Sequence, residues 1–122
     1  MFSSIYIRKV VMKLLIAGSR SINEFDLSEY ISDDIELIIS GGAQGIDTIA
    51  ENYADKHRIS KLILRPNYKR YGKAAPLIRN EKMVDICDSL IVVWDGKSNG
   101  TKHTIEYAQN VGKSIIIISV QQ

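Results

Sequence analysis

Five short runs of isoleucine, leucine and valine recur along this chain, at about 13–18, 36–40, 60–65, 89–94 and 114–119. Each is apolar nearly throughout rather than alternating, which predicts strands covered on both faces. The segments between them carry a longer period. Ile46, Ile49, Ala50, Tyr53 and Ala54 fall on the i, i+3, i+4, i+7 and i+8 positions of one helix face. Helices are expected at about 24–32, 44–57, 76–87 and 101–111, with turns at Asp33-Asp34, Pro66-Asn67 and Gly112-Lys113. Strands alternating with helices imply βαβ units, right-handed crossovers and a parallel sheet. The expected fold class is therefore α/β, three layers deep.

Length and composition narrow the picture without naming a chemistry. At 122 residues the chain is one domain with a single core, and it shows no internal repeat or linker. Met12 to Gly18 looks like a natural start, so residues 12–122 form the expected domain. Residues 1–11 are either an upstream extension or a lengthening of the first strand. The chain is 45% hydrophobic and 25% charged, as in an ordinary soluble protein. Its net charge of +2 does not by itself argue for nucleic acid, although local clusters matter. Cys87 is the single cysteine, which excludes an intrachain disulfide and a cysteine-based metal site; it reads as buried packing. Neither His57 nor His103 sits in a metal-type spacing, so no metal and no cofactor are implied. No apolar run approaches the roughly 20 residues needed to span a membrane, and the N-terminus lacks a signal-peptide pattern. A cytoplasmic protein with no membrane partner is expected.

In a doubly wound sheet, ligands bind outside the carboxyl ends of the strands, where strand order reverses. Three loops in those places are rich in glycine and serine: Gly18–Ser21, Ser40–Asp47 and Asp95–Thr101. The second joins an apolar strand to a helix through Gly41, Gly42 and Gly45. Its backbone can approach a ligand closely, and helix-opening N–H groups can hold an anion. The alternative is a tight turn with no ligand. Ser19 and Arg20 follow the first strand, where an arginine can grip a phosphate or carboxylate through paired hydrogen bonds. Asp47, in the first turn of its helix, suits capping, loop bracing, ribose binding or catalysis. Glu51 lies one turn later and reads as solvated. Ser98, Asn99, Gly100 and Thr101 open the last helix with the components of an anion site. His103, just inside it, is either a surface residue or a general base.

Between Arg65 and Lys82 the chain carries Arg65, Lys69, Arg70, Lys73, Arg79 and Lys82, interleaved with Tyr68 and Tyr71. Such a segment suits phosphates covered by cations, with tyrosines stacked on a base. It also suits a plain solvated loop. Arg79-Asn80, early in the following helix, is its sharpest pair.

Assembled in order, these motifs resemble the SLOG superfamily, which joins the DNA-processing A (Smf) proteins, the Lonely Guy phosphoribohydrolases and the YpsA-like proteins. The likeness is greatest to small YspA-type, YpsA-related members and extends from Lys13 to the C-terminus. It is carried by Gly18-Ser19-Arg20, SGGAQGID at 40–47, Tyr71-Gly72-Lys73-Ala74-Ala75, IRNEKMV at 78–84 and WDGKSNGTKHTIEYA at 94–108. With the alternation of strands and helices, it implies a Rossmann-like five-stranded parallel sheet in the order 3-2-1-4-5. It further implies a nucleotide or nucleotide-derived ligand bound by Gly18, Ser19, Arg20, Gly41, Gly42, Gly45, Asp47, Lys73, Arg79, Asn80, Ser98, Gly100 and Thr101. Arg79 and Gly100-Thr101 match the Lonely Guy pattern. Asn80 replaces its lysine, Asp95-Gly96 its Pro-Gly, and His103 stands at its catalytic glutamate, with Glu106 the nearest acid. Ser40, Gly41, Ala43, Gly45, Ile46, Asp47, Arg79 and Asn80 match the DNA-processing A pattern.

Three functions are consistent with these residues. The first is ligand binding, as in a sensor. The second is N-glycosidic hydrolysis of a nucleoside monophosphate, with Asp47, Arg79 and Glu106 the catalytic candidates. The third is single-stranded nucleic-acid binding along the basic segment. A homo-oligomer is compatible with all three.

Overall fold

The computed structural model describes residues 11–121; apart from Val11, the N-terminal extension lies outside the described residues. Five strands, β1 (Met12–Gly18), β2 (Ile35–Ser40), β3 (Ser60–Ile63), β4 (Ser89–Trp94) and β5 (Ser114–Ser119), form one sheet. Every pair is parallel and the order is β3-β2-β1-β4-β5. The helices are α1 (Ile46–Lys56), a single turn α2 (Tyr68–Tyr71), α3 (Ala75–Ile86) and α4 (Asn99–Asn110). A 3-10 turn at Gly72–Ala74 joins α2 to α3.

Side chains of a strand alternate between its faces, so a continuous apolar run feeds two cores. Leu14 and Ile16 of β1, Ile38 of β2, and Ile91 and Val93 of β4 face one layer, where α1 packs Ile46, Ala50 and Ala54 against them. Leu15, Ala17, Ile39, Leu90 and Val92 face the other, against Met83 and Val84 of α3 and Ile105 and Ala108 of α4. Each fully buried Ile, Leu or Val side chain stabilises the fold by roughly 1.5–3 kcal/mol before entropy is counted. The two alanines of α1 let that helix approach the sheet closely.

The helix expected at 24–32 does not form. Ile22, Leu27 and Ile31 are buried against the α1 face from an irregular strap. Its backbone is diverted locally: the Asp26 carboxylate accepts from the Ser28 N–H at 2.9 Å and from the Ser28 hydroxyl at 2.6 Å. Such an Asx-type turn competes with helical bonding, and within 24–32 only one turn, Tyr30 N–H to the Leu27 carbonyl, follows it.

Coverage on both faces holds for the inner strands and fails at the edges. Leu62 of β3, and Ile116 and Ile117 of β5, are 40%, 47% and 40% exposed. The strand order sets β3 and β5 outermost, where α1 and α4 cover them only in part. Among the described residues no helix is long and apolar enough to cross a membrane.

Candidate ligand-binding cleft

Strand order reverses between β1 and β4, and the loops leaving the carboxyl ends of β1 to β4 surround a cleft of about 790 Å³ there. Ten of the residues singled out from the sequence line it: Gly18, Arg20, Gly41, Gly42, Asp47, Arg79, Asn80, Ser98, Gly100 and Thr101. Arg65, Pro66, Tyr68, Pro76, Met83 and Thr104 complete much of the wall.

The glycine-rich turn after β2 is closed on itself. The Ser40 hydroxyl accepts the Gly42 N–H at 3.2 Å and donates to Glu51 at 2.8 Å, so Glu51 braces the turn and is not merely solvated. The Ala43 N–H donates to Asp47 Oδ2 at 3.1 Å, and the Ile46 N–H to the Ser19 carbonyl at 3.4 Å. The donors expected to await an anion at the start of α1 are thus partly committed to the fold. The glycines serve close approach instead. A Cβ at Gly41 would stand 2.9 Å from both Arg79 Nη1 and Asp47 Oδ2, and Gly42 has φ +73.

Asp47 is 8% exposed. Burial pushes its carboxyl pKa up, against the Ala43 N–H and the Arg79 charge, which pull it down. Arg79 points across the same floor. Its Nη1 donates to the carbonyls of Gly41 and, at 3.2 Å, Leu64, while Nε donates to Asn80 Oδ1 at 2.8 Å. Burial lowers the guanidinium pKa and Asp47 opposes that shift. Arg65 donates to the Gly42 carbonyl at 3.3 Å. Arg20 differs from both: it is exposed at the mouth, with no hydrogen-bond or ion-pair partner among the described residues.

Opposite lies the opening of α4. Asp95 accepts from the N–H groups of Lys97 and Ser98 at 2.8 and 2.9 Å, and from the Ser21 hydroxyl at 2.8 Å. These bonds hold its carboxyl well below the usual carboxylate range. The Asp95 N–H in turn donates to the buried Ser19 hydroxyl at 2.9 Å, tying the β1 loop to the β4 loop. Trp94 Nε1 donates to the Ser98 carbonyl at 3.1 Å. The loop so fixed presents Asn99, Gly100 and Thr101, the first turn of α4, to the cleft. The Ser98 hydroxyl is spent on Asp95.

Four residues of the sequence-derived set do not line the cleft. Ser19 lies beneath it. Gly45, with φ +77, backs onto the Ser19 and Arg20 carbonyls. Lys73 sits exposed on the 3-10 turn, and Glu106 is exposed on α4. His103 pairs with Glu81 at 2.8 Å, joining α4 to α3. Within the basic segment, the Lys82 ammonium and the Arg70 guanidinium lie 5.1 and 5.2 Å from the Tyr71 ring centre. Tyr68 is 60% exposed at the rim. Met83 and Thr104 had no sequence signal as wall residues, because the ends of inward helix faces look like core. No cluster of metal-ligating side chains occurs among the described residues.

No protein-family model matches the chain, and no solved structure matches it. Among curated proteins it is similar to the Gene 61 protein of Mycobacterium phage D29. The two are 28% identical over 120 residues, covering 85% of this chain and 94% of the phage protein. That name states no activity.

Proposed function

We propose that this chain is a minimal SLOG-type domain that holds a nucleotide or nucleotide-derived ligand in the cleft at the switch point. One observation carries the reading: unpartnered Arg20 and the open first turn of α4 line the same cleft as an apolar wall of Pro66, Tyr68, Pro76 and Met83. An arginine and a helix N-terminus together favour an anionic group. An exposed tyrosine beside two prolines offers a flat ring something to stack on. The cleft volume is that of a small-molecule site.

Mass spectrometry of the natively purified protein tests this directly, followed by calorimetric titration with ribonucleoside mono- and diphosphates. Arg20→Ala is expected to weaken binding by at least about tenfold, the loss of one charge-assisted anion contact, with melting temperature unchanged. A protein that copurifies with no such compound and binds none of them overturns the reading.

A second reading, N-glycosidic hydrolysis of a nucleoside monophosphate, is favoured by one feature. Asp47 is a buried carboxyl with a raised pKa at the floor of the cleft, the kind of environment in which acid–base groups work. Release of free base on incubation with nucleoside monophosphates, abolished in Asp47→Asn, supports it; unchanged nucleotide leaves binding alone.

A further inference from the structure

We infer that Asp47 is the ribose subsite of the cleft and that the protein selects ribonucleotides over deoxyribonucleotides. This rests on the nucleotide reading and gives it a substrate class.

The two oxygens of the Asp47 carboxylate are not equally engaged. Asp47 is 8% exposed, and Oδ2 is taken by the Ala43 N–H at 3.1 Å. Oδ1 has no hydrogen-bond partner among the described residues. Yet no buried side-chain oxygen or nitrogen among those residues lacks a partner. Oδ1 therefore keeps a path to solvent, and Asp47 lines the cleft. The small open remnant of this side chain is an acceptor aimed at the ligand space.

The neighbouring cation does not close that position. Arg79 turns Nη1 to the Gly41 and Leu64 carbonyls and Nε to Asn80, and it forms no ion pair with Asp47. A free acceptor in a desolvated place is stabilised by a donor that the ligand brings. A phosphate brings none and carries like charge, so it is directed to Arg20 and the α4 end. A ribose brings two adjacent hydroxyls. Gly41, having no side chain, lets the backbone pack between Arg79 and Asp47; a Cβ there would stand 2.9 Å from both Nη1 and Oδ2.

Calorimetric titration of the full chain with AMP, GMP, CMP and UMP, and with their four 2′-deoxy counterparts, tests the inference. The wild-type protein is expected to bind at least one ribonucleotide about tenfold or more tightly than its deoxy form, because a site built to accept a hydroxyl rejects the analogue lacking it. In Asp47→Asn, which keeps an oxygen for the Ala43 N–H, the preference is expected to shrink below about threefold. Equal affinities in the wild-type protein overturn the ribose subsite while leaving the nucleotide reading intact. A preference that survives in Asp47→Asn overturns it too, since another group then reads the hydroxyl. Failure of all eight to bind overturns the selection of ribonucleotides, whereas the nucleotide reading stands or falls with the diphosphates and the copurified compound. Should the variant not fold, equal affinities in the wild-type protein still overturn the inference.

Discussion

Arg79 joins three segments distant in sequence: the end of β2 through the Gly41 carbonyl, the exit of β3 through the Leu64 carbonyl, and its own helix α3 through Asn80. Removing it strands two half-buried carbonyls and leaves Asp47 without its nearest compensating charge. Arg79→Ala is therefore expected to cost roughly 2–4 kcal/mol of stability, read as a lowered denaturant midpoint without any ligand. An unchanged midpoint would show that the guanidinium does not brace the loops. Asp47 gives a second test at this scale. Its carboxyl pKa is raised above the ordinary 3.8 by burial, so the folded state holds that proton more readily than the unfolded chain. Its contribution is thus fully present below 3.8 and is lost as pH rises through the folded value. Asp47→Asn removes this dependence. The melting temperature of the variant relative to wild type is expected to rise as pH is raised from about 4; a difference that does not change with pH contradicts the burial of the Asp47 carboxyl. Residue order singled out both side chains, but not that Arg79 would turn to backbone carbonyls. Such bonds depend on how close three loops come in space.

At the scale of elements, residue order places the turns but tells only part of their work. Gly18 was singled out beside a possible anion, and it does line the cleft. It also stands where β1 meets β4: an added Cβ would fall 2.3 Å from the Val93 carbonyl oxygen and 2.7 Å from the Ile46 side chain. One contact is backbone in a central strand and the other is a buried core residue, so neither can retreat cheaply. Gly18→Ala should lose more than about 2 kcal/mol to overpacking, visible as a shifted unfolding midpoint, whereas a variant of wild-type stability would mean the strands separate easily. The missing helix at 24–32 has the opposite lesson. Leu27 and Ile31 are spaced as a helix would space them, and both are buried. Burial needs only that the side chains arrive, and Asp26, bonded to Ser28, turns the backbone before a helical run begins. A period of two apolar residues is too short to tell a helix from a strap.

For the molecule as a whole, the alternation of strand and helix made the parallel sheet legible, and the order 3-2-1-4-5 implied by the resemblance, with β3 and β5 at the edges, is the order found; apolar periodicity alone does not mark those edges. Ser114 to Ser119 reads as thoroughly apolar as Ser89 to Trp94, yet one is outermost and the other central. Periodicity reports burial by face, and an unbroken isoleucine run gives no face to choose. The edge position has a consequence that can be measured amide by amide. Ser119 is in register with Trp94, and the Val120 N–H donates to the Trp94 carbonyl at 2.8 Å. In a parallel ladder, successive residues of a strand direct their N–H groups to opposite sides. The even-numbered residues of β5 therefore bond to β4, and Ile115, Ile117 and Ser119 direct theirs to the free edge. Hydrogen exchange followed by NMR is expected to alternate accordingly, slow at Ile116, Ile118 and Val120 and fast at Ile115, Ile117 and Ser119. The corresponding stretch of β4, bonded on both sides by β1 and β5, should be protected throughout. Uniform protection along β5 would mean that a further strand covers this edge, and the five-stranded sheet would not be the whole of the assembly.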